Sequence, residues 1–584
     1  MGQTLAYLGG TFRNGCRTRF TRLLPHIFSK NRLSTNTKIM VAQNSIVYFS
    51  ALNKIGSLRS ILLVFTITAF SFYQGFGQVD DDNPNEVTFP ESERNLDPEN
   101  IVVPKGYKIE AMQGGLSYPV DVTFDEEGNT YVAEAGGHTY GTMPPSAPNA
   151  RILKITPDSA VTVLYDKVVS MEDIKKSASS NDMPEGLIPP LTGTTYYEGK
   201  LYISHRSRYS VYDLETGDFR TIINGLPSWG EFLNAKPIFK DGKMYFFLST
   251  QGNSGVQEEH WVKVIDQFNK PEAKEIPGED VTLTGENFWV PTKGIGLMDA
   301  DSLSTGVYSK LGDETEKNQV VKGQKICNGA FFESDLDGSN IKRLAWGLRS
   351  SFGYRFGPDG DLVTTMNSAN PMPPRGLYFD YEPVYRIEEG TWYGWPDFYS
   401  GIPITDKRFE IKKEKRQFVL TTETHNKLLK GKARPVQPVA KLAVHSAAEG
   451  MVFGNGTMNV PKEDILVAEF GVIVPFFKGE KDHPKLPPGV PLEKDAPDGV
   501  KYNWPGFKVQ QVNLKNGKAT DFIYNKTNLP SSASDGKGGL KRPLQLEWDA
   551  EGNLYIVDFG IVDLNDKGMD AKPFTGVLWK ISKN

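Results

Sequence analysis

A short phrase recurs six times along the chain: a polar turn with a glycine, then alternating apolar residues that end on a polar one. It reads FDEEGNTYVAE at 124–134, YYEGKLYISH at 196–205, KDGKMYFFLS at 240–249 and GPDGDLVTTM at 357–366. A looser copy, GNGTMNVPKEDILVAE, spans 454–469, and the last, DAEGNLYIVD, spans 549–558. Glycine suits a turn that visits positive φ, and the acidic neighbour suits a solvated tip. The β-branched and aromatic flanks predict strands, and long amphipathic helical patterns are scarce. Six strand–turn–strand units in an all-β chain predict a six-bladed β-propeller, ahead of a two-sheet sandwich or tandem small β domains.

Spacing predicts where the propeller is embellished. The turn glycines Gly128, Gly199, Gly242, Gly360, Gly456 and Gly552 lie 71, 43, 118, 96 and 96 residues apart. A bare four-stranded blade takes about 40–50 residues, so all but one interval carries a long loop insertion. The largest is 256–324; a Lys-, Pro- and Asp-rich stretch, 478–498, reads as a surface loop. Such loops are where a scaffold usually places selectivity.

The repeat also predicts a site. Six residues after each turn glycine the strand ends on Glu134, His205, Leu248, Met366 and Asp558, and the stretched fifth copy ends on Glu469. Equivalent positions on radial blades form a ring around one axis. Four of the six are ionisable, which predicts a polar constellation for a cation or a sugar. The alternative is that these groups cap neighbouring backbone amides.

Charge divides the chain. Residues 1–77 hold nine basic side chains and no Asp or Glu. Within them Ile61–Phe72 is an apolar run preceded by Arg59 and followed by Gly75-Phe76-Gly77. That predicts a signal peptide cleaved near Gln78, too short for a stable membrane span, and a secreted or periplasmic product. Met40 would give a more ordinary signal length. Residues 78–100 read as an N-terminal linker and 101–584 as a single propeller.

Without the leader's nine basic groups, 57 basic side chains face all 71 acidic ones, a net charge of −14. This argues against nucleic acid as a partner. Cys327 is the one cysteine beyond the leader, so an intrachain disulfide, a zinc cluster and a Cys-x-x-Cys-His haem attachment are excluded. Serine-hydrolase, zincin, P-loop and dinucleotide motifs are missing. Asp335-Leu336-Asp337-Gly338 resembles half a calcium loop, lacks the distal Glu, and reads as a β-turn.

One block is more specific than the repeats. Residues 346–401 read WGLRSSFGYRFGPDGDL, then EPVYRIEEGTWYGWPDFYSG. This is similar to the glucose/sorbosone dehydrogenase family, soluble sugar dehydrogenases that use pyrroloquinoline quinone (PQQ). The matching segments are Gly347-Leu348-Arg349, Pro358-Asp359-Gly360, Glu382 and Tyr393-Gly394-Trp395-Pro396. Further matches are His445-Ser446-Ala447-Ala448, Val467-Ala468-Glu469-Phe470-Gly471, Arg542-Pro543 and the opening Pro104-Lys105-Gly106-Tyr107. The resemblance spans about 101–583 and itself implies a six-bladed propeller.

The resemblance implies a site. Arg349 and Arg542 match positions that contact the cofactor, whose carboxylates suit the planar guanidinium fork. His445 matches a family histidine, and calcium would polarise the quinone from oxygen donors around Asn367–Asn370. The family's catalytic histidine falls on Glu231, with Phe232 beside it and Asn234 retained; a desolvated Glu can serve as base. Ser350 and Ser351 replace the family's Asn and Pro. His205, at a strand end of the ring, is the substitute base, and Glu134, Glu469 and Asp558 are the carboxylates available to a metal.

The function expected is therefore an exported oxidoreductase of a sugar or related aldehyde or alcohol, passing electrons to a separate acceptor. The alternatives are a non-redox carbohydrate-binding propeller and a calcium-dependent lactonase-like hydrolase.

Overall fold

The computed structural model describes residues 86–90, 94–137, 146–293, 300–370, 373–377, 379–410, 415–472, 505–531, 538–565 and 568–584, apart from the side chains within 563–569. All of them belong to the compact unit Asn83–Asn584. The expected leader and the 478–498 loop lie outside the described residues. Among those residues no helix is long and apolar enough to cross a membrane.

Each copy of the repeated phrase is the hairpin between the first two strands of a sheet with four antiparallel strands, to which two of the six sheets add a short fifth strand, Thr391–Trp392 in parallel and Ile101–Val102 antiparallel. Blade 1 is Pro119–Phe124, Thr130–Glu134, Arg151–Ile155 and Val161–Tyr165, hydrogen-bonded in that order. Blade 2 is Leu191–Tyr197, Lys200–His205, Arg208–Asp213 and Phe219–Ile223. Blades 3, 4, 5 and 6 begin with the first strands Ile238–Lys240, Tyr354–Phe356, Ala448–Phe453 and Pro543–Trp548. The six turn glycines all have positive φ, between 71° and 88°, as the turn chemistry requires. First strands of adjacent blades touch one another, blade 1 against blades 2 and 6 and blade 5 against blades 4 and 6, so the first strand is the inner one.

The ring closes with strands from both ends of the described chain. Blade 6 takes its fourth strand, Tyr107–Leu116, from the start of the propeller, paired antiparallel with Gly576–Lys583. Blade 5 gains Ile101–Val102 at its edge, paired with Asn525 and Tyr524. Part of the expected linker is therefore built into the propeller. Val87 N–H donates to the Val161 carbonyl, and Arg94 is buried.

On the axis, charges rather than apolar groups join the blades. Lys236, just before blade 3, pairs with Asp121 of blade 1 at 2.9 Å and Glu547 of blade 6 at 3.1 Å. Arg355 of blade 4 also reaches Glu547, at 2.7 Å. Asp121 further accepts the Thr194 N–H of blade 2. The apolar core lies between the blades, where inward strand residues such as Val132, Leu153, Leu466, Ile556 and Trp579 are fully buried.

The 256–324 insertion is ordered where described. It carries the helix Glu259–Phe268, which buries Trp261, Val262, Val264, Ile265 and Phe268, and a two-stranded sheet of Asn287–Pro291 with Ser302–Gly306. Asp335–Gly338 is a β-turn, as its sequence predicts, closed by Gly338 N–H on the Asp335 carbonyl.

Candidate functional site

The strand-end ring is built as expected in position but not in use. These residues end second strands, one strand out from the axis, and in four of the six blades the side chain receives an N–H of the segment that enters the first strand of the same blade. Glu134 accepts the Ser117 N–H and pairs with Arg151, both at 2.5 Å. Asp558 accepts the N–H groups of Lys541 and Arg542 at 2.8 Å and pairs with Arg94. His205 Nδ1 accepts the Ile188 N–H at 3.0 Å, and even Met366 Sδ receives the Arg349 N–H at 3.1 Å. An N–H just before a strand has no ladder partner, and a buried one must find another acceptor. In these four blades the position is a cap, and Glu134, Glu469 and Asp558 do not meet at one point. Among the described residues no group of three or more His, Cys, Asp or Glu is arranged to hold a metal.

His205 is committed to this structural role. It is fully buried, and with Nδ1 accepting, Nε2–H donates to Ser210 Oγ at 2.8 Å. Burial, then the nearby Arg208, lowers its pKa to about 3. It stays neutral with both nitrogens occupied, which corrects its reading as a substitute base. Asn234 is likewise fully buried, its amide donating to the carbonyls of His205 and Arg208. It ties blade 2 to the loop before blade 3 and acts as a staple.

The structure does bring Glu231 and Arg349 together. Arg349, 2% exposed, follows the last strand of blade 3 and lies flat over the Phe232 ring, 4.2 Å from its centroid. Its Nη2 donates to Asn253 Oδ1 at 3.0 Å, its Nε to the Asn253 carbonyl and its Nη1 to the Asn367 carbonyl, both at 3.3 Å. Asn253 Oδ1 also accepts the Asn370 N–H, and the Asn370 side-chain amide reaches Glu231 Oε1 at 3.4 Å. The partly exposed Phe232, Asn367, Asn370, His445 and Glu449 mark where this site opens.

Among the described residues every hydrogen bond that the Arg349 guanidinium donates goes to a backbone carbonyl or a side-chain amide oxygen. An ion pair with Glu382 would be the ordinary reason for a buried Arg, and it is not formed. Glu382 instead accepts from Ser368 N–H at 2.8 Å, Ser368 Oγ at 2.7 Å and Ala447 N–H at 3.2 Å. Ser368 Oγ also lies 3.3 Å from His445 Nδ1, which places His445 at the edge of the site.

Carboxyl groups crowd around this single guanidinium. Glu275 takes the N–H groups of Gln251 and Gly252, Glu449 takes the Asn367 amide, and Asp380 takes the Ala369 N–H. Burial raises Glu275, Glu449 and Glu469 to about 8 and Glu382 to about 7. The acid-rich site thus carries less negative charge near neutral pH than its composition suggests.

Arg542 has a different set of partners. Its Nη1 donates to the carbonyls of Gly471 and Val472 and its Nη2 to that of Val562, with the guanidinium between the Phe470 and Phe507 rings. Glu258, Glu275, Asn253 and Glu449 were not legible in the sequence. The first three sit in or beside the insertion, where no repeat marks them, although Glu449 directly follows the His445–Ala448 match.

No protein-family model matches the sequence, and no curated protein matches it. Solved structures are similar to it at low identity. The PQQ domain of pyranose dehydrogenase from Coprinopsis cinerea is 15% identical, with a TM-score of 0.45 over 84% of this chain and 98% of its own. The PQQ-bound aldose sugar dehydrogenase from Streptomyces coelicolor is 12% identical, with a TM-score of 0.41 over 82% and 99%. A gluconolactonase from Xanthomonas campestris is 11% identical, with a TM-score of 0.36 over 86% and 99%.

Proposed function

We propose that this protein is an exported oxidoreductase that oxidises a sugar, or a related alcohol or aldehyde, with pyrroloquinoline quinone. The observation that carries the reading is the buried Arg349 guanidinium, which among the described residues has no carboxylate within 4 Å although carboxyl groups surround it. A buried charge is costly without an opposite charge at hydrogen-bond distance. A cofactor carboxylate would supply one, bidentate to the planar fork. The residues present therefore fit the quinone at Arg349.

When bound, the quinone would accept the hydride of the oxidised carbon. Arg349 would fix its orientation, held flat by Phe232. Glu231, beside them and 6% exposed, would take the proton of the substrate hydroxyl onto its carboxylate. Burial of the surrounding chain keeps bulk water from competing. Calcium is not given a site by the residues described, and no step is assigned to it. Electrons would leave to a separate acceptor.

The lactonase reading has weaker support, because two of its three carboxylates, Glu134 and Asp558, are tied to Arg151 and Arg94. The test is reconstitution of the full chain with PQQ and calcium, then dye reduction with a panel of aldoses. Activity that Arg349→Ala abolishes supports the reading. Protein that neither binds the quinone nor reduces dye with any sugar overturns it, and sugar binding without quinone binding indicates the non-redox alternative.

A further inference from the structure

The loops around Glu231 place a second carboxyl group against it. Glu231 N–H donates to the Gln251 carbonyl at 2.6 Å, and the two backbones touch because residue 230 is glycine. A Cβ at Gly230 would collide with the Gln251 carbonyl. The next residue of that loop, Gly252, leaves a second notch, where a Cβ would lie 2.9 and 3.0 Å from the two Glu258 oxygens. The Glu258 carboxyl thus lies against Gly252, the residue next to the one whose carbonyl holds the Glu231 N–H.

Glu258 stands directly before the helix Glu259–Phe268, a place where a carboxylate ordinarily caps helix N–H groups. It makes no such cap. Its Oε1 turns back to the Asn253 N–H at 2.9 Å, and its buried Oε2 has no hydrogen-bond donor among the described residues; the side chain it meets is that of Glu231. Glu258 is 1% exposed, so burial, and next the Glu231 charge, push it well above the usual carboxyl range. The charged groups around the pair are Arg349, which favours the anionic form of Glu258, and Glu275, which lies across Gln251 and Gly252. Two carboxylates in contact and out of water cannot both ionise at neutral pH.

We infer that Glu231 and Glu258 hold one proton between them as a carboxylic acid–carboxylate pair, with Glu258 as a positioning residue. At neutral pH the proton sits on Glu258 and is donated to Glu231, whose carboxylate is aimed and kept as the acceptor. The role of the pair in turnover rests on the dehydrogenase reading above; the shared proton does not.

The experiment is infrared spectroscopy of the full-length protein at neutral pH, as differences between wild type and single variants. Glu258→Gln, close in shape to the protonated acid, should lose one protonated-carboxyl C=O band. Glu231→Gln should shift that band, because its hydrogen-bond acceptor changes from carboxylate to amide. Gly252→Ala, which displaces Glu258, should also shift it and serves if Glu258→Gln fails to fold. An unchanged band in Glu258→Gln, or an unshifted band in Glu231→Gln, overturns the pair. In active enzyme, Glu258→Gln should lose the alkaline limb of the pH–rate profile; an unaltered limb overturns the positioning role. Bands that behave as stated in a protein without sugar oxidation support the pair while removing the dehydrogenase reading.

Discussion

Arg94 pairs with Asp558 across 464 positions of sequence, Nη2 to Oδ2 at 2.5 Å, and both side chains are almost completely buried. The guanidinium also donates to the carbonyls of Gly539 and Thr575. Burial alone would raise Asp558, yet Arg94 and the N–H groups of Lys541 and Arg542 hold it below the ordinary carboxyl range. Removing one member of such a pair leaves the other charge buried. Arg94→Ala should therefore cost about 3–5 kcal/mol in denaturant unfolding. A loss under about 1 kcal/mol, the scale of an exposed ion pair, would show that the strap is not bound as described.

The raised buried carboxyls set a pH dependence of the opposite kind. Folded-state values of about 7 for Glu382 and about 8 for Glu275, Glu449 and Glu469 lie above the unfolded value of 4.5. The folded state then binds more protons than the unfolded one. Their contribution to stability is full below the unfolded pKa and is lost as pH rises from there through the folded values. Thermal unfolding should show a midpoint that falls from about pH 5 to about pH 8. Glu469→Gln, which keeps the shape of the protonated acid, should match wild type at the acid end and exceed it at the alkaline end. Parallel curves for the two proteins would rule this account out.

Two positive-φ glycines separate backbone strain from packing. Gly199 turns the blade 2 hairpin at φ +74°, and a Cβ there would meet nothing within 4 Å. Gly347, at φ +77°, lies so close to Trp392 that a Cβ would fall inside the indole. Gly199→Ala should cost only the left-handed strain, about 1–2 kcal/mol. Gly347→Ala adds overpacking of about 1–3 kcal/mol or more. Equal costs in urea unfolding would mean that Trp392 moves aside freely.

The fold was legible because its signal is periodic. Six copies of a glycine turn between alternating strands identify six inner hairpins, and the structure places each of them there. The site was legible only where it touches that repeat or the block following Trp346, as with Arg349 and Glu231. The strand-end residues misled for a physical reason: a repeated polar residue marks a repeated need, and here four blades use that side chain as acceptor for an N–H that enters the first strand. Glu258 and Glu275 carry no periodic mark, and their importance arises from two glycine notches that join loops distant in sequence. Arg94 was assigned to a linker because a polar segment without alternation gives no sign of a buried partner near the other end of the chain.

Lys236 on the axis yields the sharpest test of how the blades are held. It is the cation that Asp121 contacts, at 2.9 Å with both side chains buried, while Glu547 has Arg355 as a second partner. Burial raises Asp121, and Lys236 acts against that rise. Lys236→Met should strand Asp121 and cost about 3–5 kcal/mol at neutral pH. Because Asp121 is then free to protonate, the deficit should shrink as the pH is lowered. Adding Asp121→Asn removes the stranded charge, so the double variant should recover much of the loss, and the cycle should show coupling of about 0.5–3 kcal/mol. Additive single costs would mean that the axis is held by blade packing alone and that its charges are passengers.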